Sequence, residues 1–124
     1  MKITTFDPII VSPKAEEIIS VFEALGFEKS HAPVTSTANG DVTTTRMKHE
    51  NGYHVDISDV KSIPADKTYI RINVDNFDEA CDILLKHGFK NRLGDSKTID
   101  SKSAKAATFV SPSGFIIALV QHIK

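Results

Sequence analysis

His54 and Asp56 are the pair whose types and spacing come closest to chemistry in this sequence. On a β-strand, alternate side chains point the same way, so an imidazole and a carboxylate would share one face. Such a pair can serve a divalent cation such as Zn²⁺, Mn²⁺ or Fe²⁺, which takes nitrogen and oxygen donors. It can also act as a base, His54, positioned by its acid, Asp56, or it can be a structural hydrogen bond. A metal needs at least a third ligand, for which Tyr69 and Asp7 are the candidates. Arg71 on the same face would oppose a cation by like-charge repulsion. Arg46 and Arg71 offer a different chemistry, because a guanidinium binds carboxylate or phosphate groups. Their alternative use is to pair with Asp56.

The other reactive side chains point to structure. Cys81 falls on an apolar helix face, where a thiol is inert core. His49 belongs to a turn with Glu50, and His87 to a helix C-terminus, where a cation favours the dipole. His31 and His122 have no visible partners in the sequence. There is no Gly-rich phosphate loop, serine nucleophile elbow or CxxC motif. Fifteen basic residues face sixteen acidic ones, for a net charge of −1, and the signs are interspersed. That balance argues against a phosphate-backbone or membrane-surface partner. No apolar run approaches the ~20 residues that span a bilayer. The opening residues have no apolar stretch of signal-peptide length. With Cys81 as the only cysteine, a disulfide framework is excluded. A cytoplasmic protein without nucleic-acid or membrane partners is the expectation.

The elements that must position these residues come in duplicate. A shift of 62 residues, half of the 124, brings the two halves of the chain into register. Glu17 then falls on Glu79, Phe22 on Leu84, and Gly26-Phe27 on Gly88-Phe89. Met47 falls on Phe109, Gly52 on Gly114, Val55 on Ile117 and Ile57 on Leu119. The opening strand is read with a one-residue slip, Ile9 and Val11 against Ile72 and Val74. Each half reads as strand, helix, Gly-Phe, loop and hairpin, so module one spans about 1–62 and module two about 63–124 of a single domain. Ser12 with Pro13 is the expected start of the first helix and Asp75 the expected cap of the second. Ile18, Ile19, Phe22 and Leu25 form one apolar face, and Ala80, Cys81, Leu84 and Leu85 the other. Gly26 and Gly88 suit the left-handed position that ends a helix and folds the next aromatic back. Asn51-Gly52 and Ser111-Pro112-Ser113-Gly114 are hairpin turns. Residues 91–105 read as a loop beside the site, with Ala32–Gly40 as its weaker counterpart.

Strand alternation then sorts the faces. Tyr53, Val55 and Ile57, and Phe115, Ile117 and Leu119, are expected against the helices, as are Ile70, Ile72, Val74, Ile9 and Val11. The opposite face carries His54, Asp56 and Ser58, then Ile116, Ala118 and Val120, with Tyr69, Arg71, Asn73, Arg46, Phe6, Pro8 and Ile10. This predicts a cup with a polar and an apolar wall, suited to a partly apolar small ligand. The expected ligand contacts are Arg46, His54, Asp56, Tyr69, Arg71, Phe6, Ile116 and Ala118. Paired-carboxylate catalysis would need a partner for Asp56, and none is apparent on that wall.

The run Phe109-Val110-Ser111-Pro112-Ser113-Gly114-Phe115, continued by Ile116–Gln121, resembles an ending found in the vicinal oxygen chelate superfamily. There an aromatic, Asp-Pro-Asp-Gly and a strand bearing a glutamate before Leu-Val follow one another. Ile72-Asn73-Val74-Asp75 with Phe77-Asp78-Glu79-Ala80 is similar to that family's entry into its second helix. The superfamily includes glyoxalase I, extradiol dioxygenases and the fosfomycin- and bleomycin-resistance proteins. The resemblance covers essentially the whole chain. It implies an α+β fold of two tandem βαβββ modules, with a curved mixed sheet as the cup and helices on its convex face. It also implies a homodimer. Metal-dependent members place ligands on the opening strand of each module and glutamates on the hairpin strands. Here those positions fall on Phe6 or Asp7, on Tyr69, and on Asp56 and Ala118, and Ala118 has no donor atom. The resemblance therefore implies a metal-independent small-molecule binder of the bleomycin-resistance type, with no cofactor. The alternatives are a metal-dependent glyoxalase- or dioxygenase-like enzyme with its site relocated to His54 and Asp56, or a module that binds a protein partner through its sheet face.

Overall fold

The computed structural model describes residues 1–32, 34–37, 40–92, 99–100 and 104–122. Its residues group into two compact units, one of Asp7–Thr68 and one of Met1–Phe6 with Tyr69–Lys124.

The first unit holds β1 (Ile3–Ser12) from Asp7 onward, which leads into α1 (Ala15–Ala24), followed by β2 (Glu28–His31), β3 (Val34–Thr37), β4 (Gly40–Lys48) and β5 (His54–Asp59). The strand order is β2-β4-β5-β1, with β3 also paired to β4. β1 runs parallel to β5 with Ile9 opposite Asp56, and β4 runs antiparallel to β5 with Arg46 opposite Asp56. Ala15 and Ile19 of α1 pack with Met47, Val55 and Ile57, flanked by Ile10, Ile18, Phe22 and Phe27. The helix ends as its Gly-Phe pair predicts. Gly26 takes φ 104°, and the Phe27 N–H reaches the Phe22 carbonyl at 2.9 Å. The Phe27 ring then meets Phe22 edge-on at 5.2 Å.

The second unit repeats the plan with β6 (Lys67–Val74), α2 (Phe77–Lys86), β7 (Lys90–Asn91), β8 (Ile99–Asp100), β9 (Ala104–Val110) and β10 (Ile116–His122). The order is β6-β10-β9-β7, and β8 pairs with β9. β6 and β10 are parallel with Arg71 opposite Ala118, and β9 places Thr108 opposite Ala118. Val74, Phe77, Ala80, Ala107, Phe109 and Leu119 form this core, with Ile72, Cys81, Leu84 and Phe89 around it. Gly88, at φ 87°, closes α2, and the Phe89 N–H bonds the Leu84 carbonyl at 3.0 Å. The expected fold class, α+β with two tandem βαβββ modules, is what the chain adopts.

Several expectations are corrected. The slip in the opening strand does not exist: Ile9 opposite Asp56 and Arg71 opposite Ala118 are themselves 62 residues apart. Ile10, not Ile9, packs with the α1 core, so the faces of β1 are the reverse of those expected. A one-residue error in register moves every side chain to the other face. Tyr53 and Phe115 are exposed, because β5 and β10 each begin one residue later, past the turn glycine. Helix α1 starts at Ala15 rather than Pro13, although the Ser12 Oγ does accept the Lys14 N–H at 3.0 Å. Asn76, not Asp75, caps α2 by accepting the Glu79 N–H at 3.1 Å. Within the expected loops, Val34–Thr37 and Ile99–Asp100 are strands. Residues 33, 38–39, 93–98 and 101–103 lie outside the described residues, so the loop reading does not reach them.

Candidate functional site

Along β5, Val55 and Ile57 enter the α1 core, which turns His54, Asp56 and Ser58 to the opposite face. Ser58 and Thr44 share a hydroxyl hydrogen bond of 2.8 Å there. The antiparallel partner β4 sets Arg46 beside Asp56, and the guanidinium takes both carboxylate oxygens. Its Nε donates to Oδ1 at 3.0 Å and its Nη2 to Oδ2 at 3.4 Å. The parallel partner β1 brings Asp7 to the same place, and its side chain hydrogen-bonds that of Asp56. Asp56 is wholly buried and Asp7 is 1% exposed, whereas the Arg46 side chain keeps 37% of its surface in solvent.

Burying two carboxyls this deep beside one guanidinium disfavours the charged form of each. Burial pushes the Asp7 carboxyl above its ordinary value, against the opposing pull of Arg46. Burial likewise raises Asp56; the hydrogen bond from Arg46 lowers it and the charge of Asp7 raises it further. A hydrogen bond between carboxyls requires a proton on one of them. The two carboxyls are therefore held against each other, and the Arg46 guanidinium pulls both towards the charged form that burial opposes. His54, half-buried, lowers the Asp7 carboxyl only as the smallest of its influences.

The second unit presents different chemistry on its corresponding face. Arg71 and Tyr69 are half-buried on β6, and Ala118 is the direct neighbour of Arg71. Asn73 lies opposite Val120 and is 6% exposed, and its Oδ1 has no hydrogen-bond partner among the described residues. Ile116 opens β10 half-buried, opposite Val110. Phe6, expected as a contact, is 64% exposed and by alternation from Asp7 lies on the other face.

The structure thus joins Arg46 and Asp56 in one unit, and Arg71 and Ala118 in the other. Sequence reasoning missed Asp7 as the partner of Asp56, and it missed Asn73. The unslipped repeat would have found Asp7, since it sets Asp7 level with Tyr69.

No protein-family model matches the chain, and no curated protein sequence does. Solved structures do match in fold. A glyoxalase/bleomycin resistance protein/dioxygenase superfamily member from Vibrio splendidus 12B01 superposes with a TM-score of 0.64 at 13% identity, covering 98% of this chain and 100% of that one. Glyoxalase I from Zea mays gives 0.70 at 12% identity over 97% of this chain, which spans only 43% of the maize protein. A protein from Staphylococcus aureus gives 0.63 at 11% identity, covering 98% of each chain. The chain has the vicinal oxygen chelate fold.

The vicinal oxygen chelate resemblance implies metal ligands on the opening and hairpin strands, and the donors here do not fit that role. Asp7 and Asp56 hold two of the four positions, but Arg46 already occupies both oxygens of Asp56. Tyr69 and Ala118 hold the other two, and an alanine side chain donates nothing. Among the described residues, no group of three or more His, Cys, Asp or Glu is placed to hold a metal ion. Outside this face, the Cys81 thiol is pushed up by burial and by the charges of Asp78 and Asp82, which disfavours a thiolate. The His49 ring packs on Phe27 at 5.2 Å, and a ring nitrogen of His87 meets the Ile83 carbonyl at 2.8 Å. No helix among the described residues is long and apolar enough to cross a membrane.

Proposed function

We propose that this chain is a small-molecule-binding protein of the vicinal oxygen chelate fold that works without a resident divalent cation. The observation that carries this reading is the guanidinium of Arg46 across both oxygens of Asp56, where the fold's metal-dependent members would use a carboxylate as ligand. A fixed organic cation takes the place of an exchangeable inorganic one. In the first unit, Asp56 holds the Arg46 side chain, whose exposed part orients an anionic or hydrogen-bond-accepting ligand group, with His54 beside it. In the second unit, Arg71 supplies donors, the buried Asn73 Oδ1 supplies an acceptor, and Tyr69, Ile116 and Ala118 supply contact area. The protein acts as a cytoplasmic homodimer in this reading.

Elemental analysis of the purified, unchelated protein tests the reading directly. The expected result is substoichiometric metal that stays so after incubation with Zn²⁺, Mn²⁺ or Fe²⁺ and does not change in Asp56→Asn. Near-stoichiometric metal that vanishes in Asp56→Asn would overturn the proposal in favour of a metal-dependent enzyme.

The adjoining carboxyls of Asp7 and Asp56, both raised by burial, favour a second reading, general acid–base chemistry by a carboxyl pair. Both groups are sealed from solvent, however, and a catalytic acid must reach its substrate. Turnover of any substrate that survives in Asp7→Asn would remove this reading.

A further inference from the structure

We infer that Asn73 selects the ligand of the second unit, and that this ligand is a small anion also carrying an N–H or O–H donor. This step rests on the small-molecule binding proposed above and names the chemistry of what is bound. Asn73 is 6% exposed, and its Oδ1 has no hydrogen-bond partner among the described residues. A buried acceptor without a donor costs stability, so it calls for a donor from outside the chain. Ile72 and Val74 pack with α2, which turns Arg71 and Asn73 together to the opposite face. Two residues apart on one strand, the two positions are separated by roughly 7 Å. An anionic group at Arg71 thus leaves a second group of the same small molecule within reach of Asn73. There the Oδ1 repels an acceptor and bonds a donor.

The internal repeat shows that the scaffold does not require a polar group at this place. At an offset of 62 residues, Val11 opposite Ser58 matches Asn73 opposite Val120. Val11 is buried and apolar, and the Ser58 hydroxyl finds its partner in Thr44. The second unit reverses the pattern. Val120 and its β9 neighbour Ala106 stand where Ser58 and Thr44 stand, and neither side chain has a donor for Asn73. A valine serves the fold at the matching position, so the amide is a cost to the fold of the kind expected at a functional site. Access differs from that of the buried carboxyls. Asp56 is bonded to Asp7 and to Arg46, whereas no hydrogen bond among the described residues holds the Asn73 Oδ1. The broad Cβ–Cγ torsion of asparagine lets it turn towards an arriving donor.

Thermal unfolding and calorimetric titration test the inference. In the ligand-free protein, Asn73→Val, which installs the first unit's residue, should raise Tm by a few degrees. A Tm that stays or falls would mean that the Oδ1 is already satisfied, and would overturn the inference. The titration uses 4-(hydroxymethyl)benzoate, with its carboxylate and O–H at opposite ends of one ring, and 4-(methoxymethyl)benzoate, which lacks the O–H. Wild type should bind the hydroxyl compound about tenfold more tightly, and Asn73→Val should lose that preference. Equal affinities in wild type, no binding of either compound, or a preference that persists in Asn73→Val overturns the inference. Metal content separates this failure from that of the proposed function: near-stoichiometric metal refutes the latter, whereas equal affinities in a metal-free protein refute only the role of Asn73.

Discussion

In the first unit, the middle of β5 turns Asp56 into a buried cluster with Asp7 and Arg46. In the second unit, the same place on β10 is Ala118, beside Arg71 and Thr108. Behind the sheet, Ile18 and Phe22 pack on the first unit's core, whereas Ala80 and Leu84 take those places in the second, with Phe77 where the first unit has Ala15. One backbone plan, with its strand register reproduced at an offset of 62 residues, therefore carries a buried charged cluster in one unit and an alanine at the matching place in the other. The difference shows which features the scaffold demands. Helix-ending glycines, the turns and the alternation of β5 and β10 recur in both units. The sheet-face side chains and the volumes at these helix positions do not, and the sheet face is where function can differ on one scaffold.

The comparison can be broken most forcefully at the core positions that match. Phe109, 1% exposed, corresponds to Met47, which is wholly buried. Phe109→Ala should cost about 3–5 kcal/mol in urea unfolding, and Met47→Ala about 2–5 kcal/mol. A much smaller loss in either would mean that its unit can collapse around the deletion.

The next largest effect should come from Arg46→Leu, which strands a buried carboxylate. Losing one partner of a fully buried pair costs ~3–5 kcal/mol, and the 37% exposure of the Arg46 side chain lowers the expectation to about 2–3 kcal/mol. Its counterpart Thr108→Ala should stay under about 1 kcal/mol. Equal losses at the two positions would refute the asymmetry between the units.

The acid pair adds a dependence on pH. Both carboxyls are raised by burial, so the native state keeps protons that the unfolded chain releases above the ordinary value of 3.8. Stability from the pair is fully present below that value and is lost as pH rises through the raised values. Asp7→Asn, whose amide can donate to Asp56 and does not titrate, should flatten this dependence. It should also stabilise the protein on the alkaline side relative to wild type. Urea midpoints measured across pH would show it, and an unaltered slope would place the titration elsewhere. The smallest contrast is at the helix starts. Asn76→Ala should cost about 1 kcal/mol through the lost cap, while Lys14→Ala, which makes no side-chain cap bond, should change stability by less than about 0.5 kcal/mol.

Most of the fold was legible in the residues themselves. Gly26-Phe27 and Gly88-Phe89 end helices because a left-handed glycine frees the following aromatic to fold back, a local rule that needs no distant partner. The alternation of Val55 and Ile57 with His54 and Asp56 placed the polar face of β5 correctly for the same reason. The site was legible only in part. Arg46 and Asp56 were named from type and parity, but Asp7 was hidden by a one-residue misreading of β1, where Phe6 and Ile10 appear as plausible on either face as Asp7 and Ile9. Register between strands far apart in sequence is set by pairing, and pairing is not written in either strand alone.

Sequence by itself determined the duplication, the helix ends, the turns and the α+β class, because each follows from short-range backbone preference and hydrophobic period. Only the tertiary structure decided that Asp7 shares its hydrogen bond with Asp56, that Arg46 takes both oxygens of that carboxylate, and that the Asn73 Oδ1 is buried without a partner among the described residues. Charge state and hydrogen bonding depend on what the other strands deliver to the same point in space, and burial then fixes their chemistry.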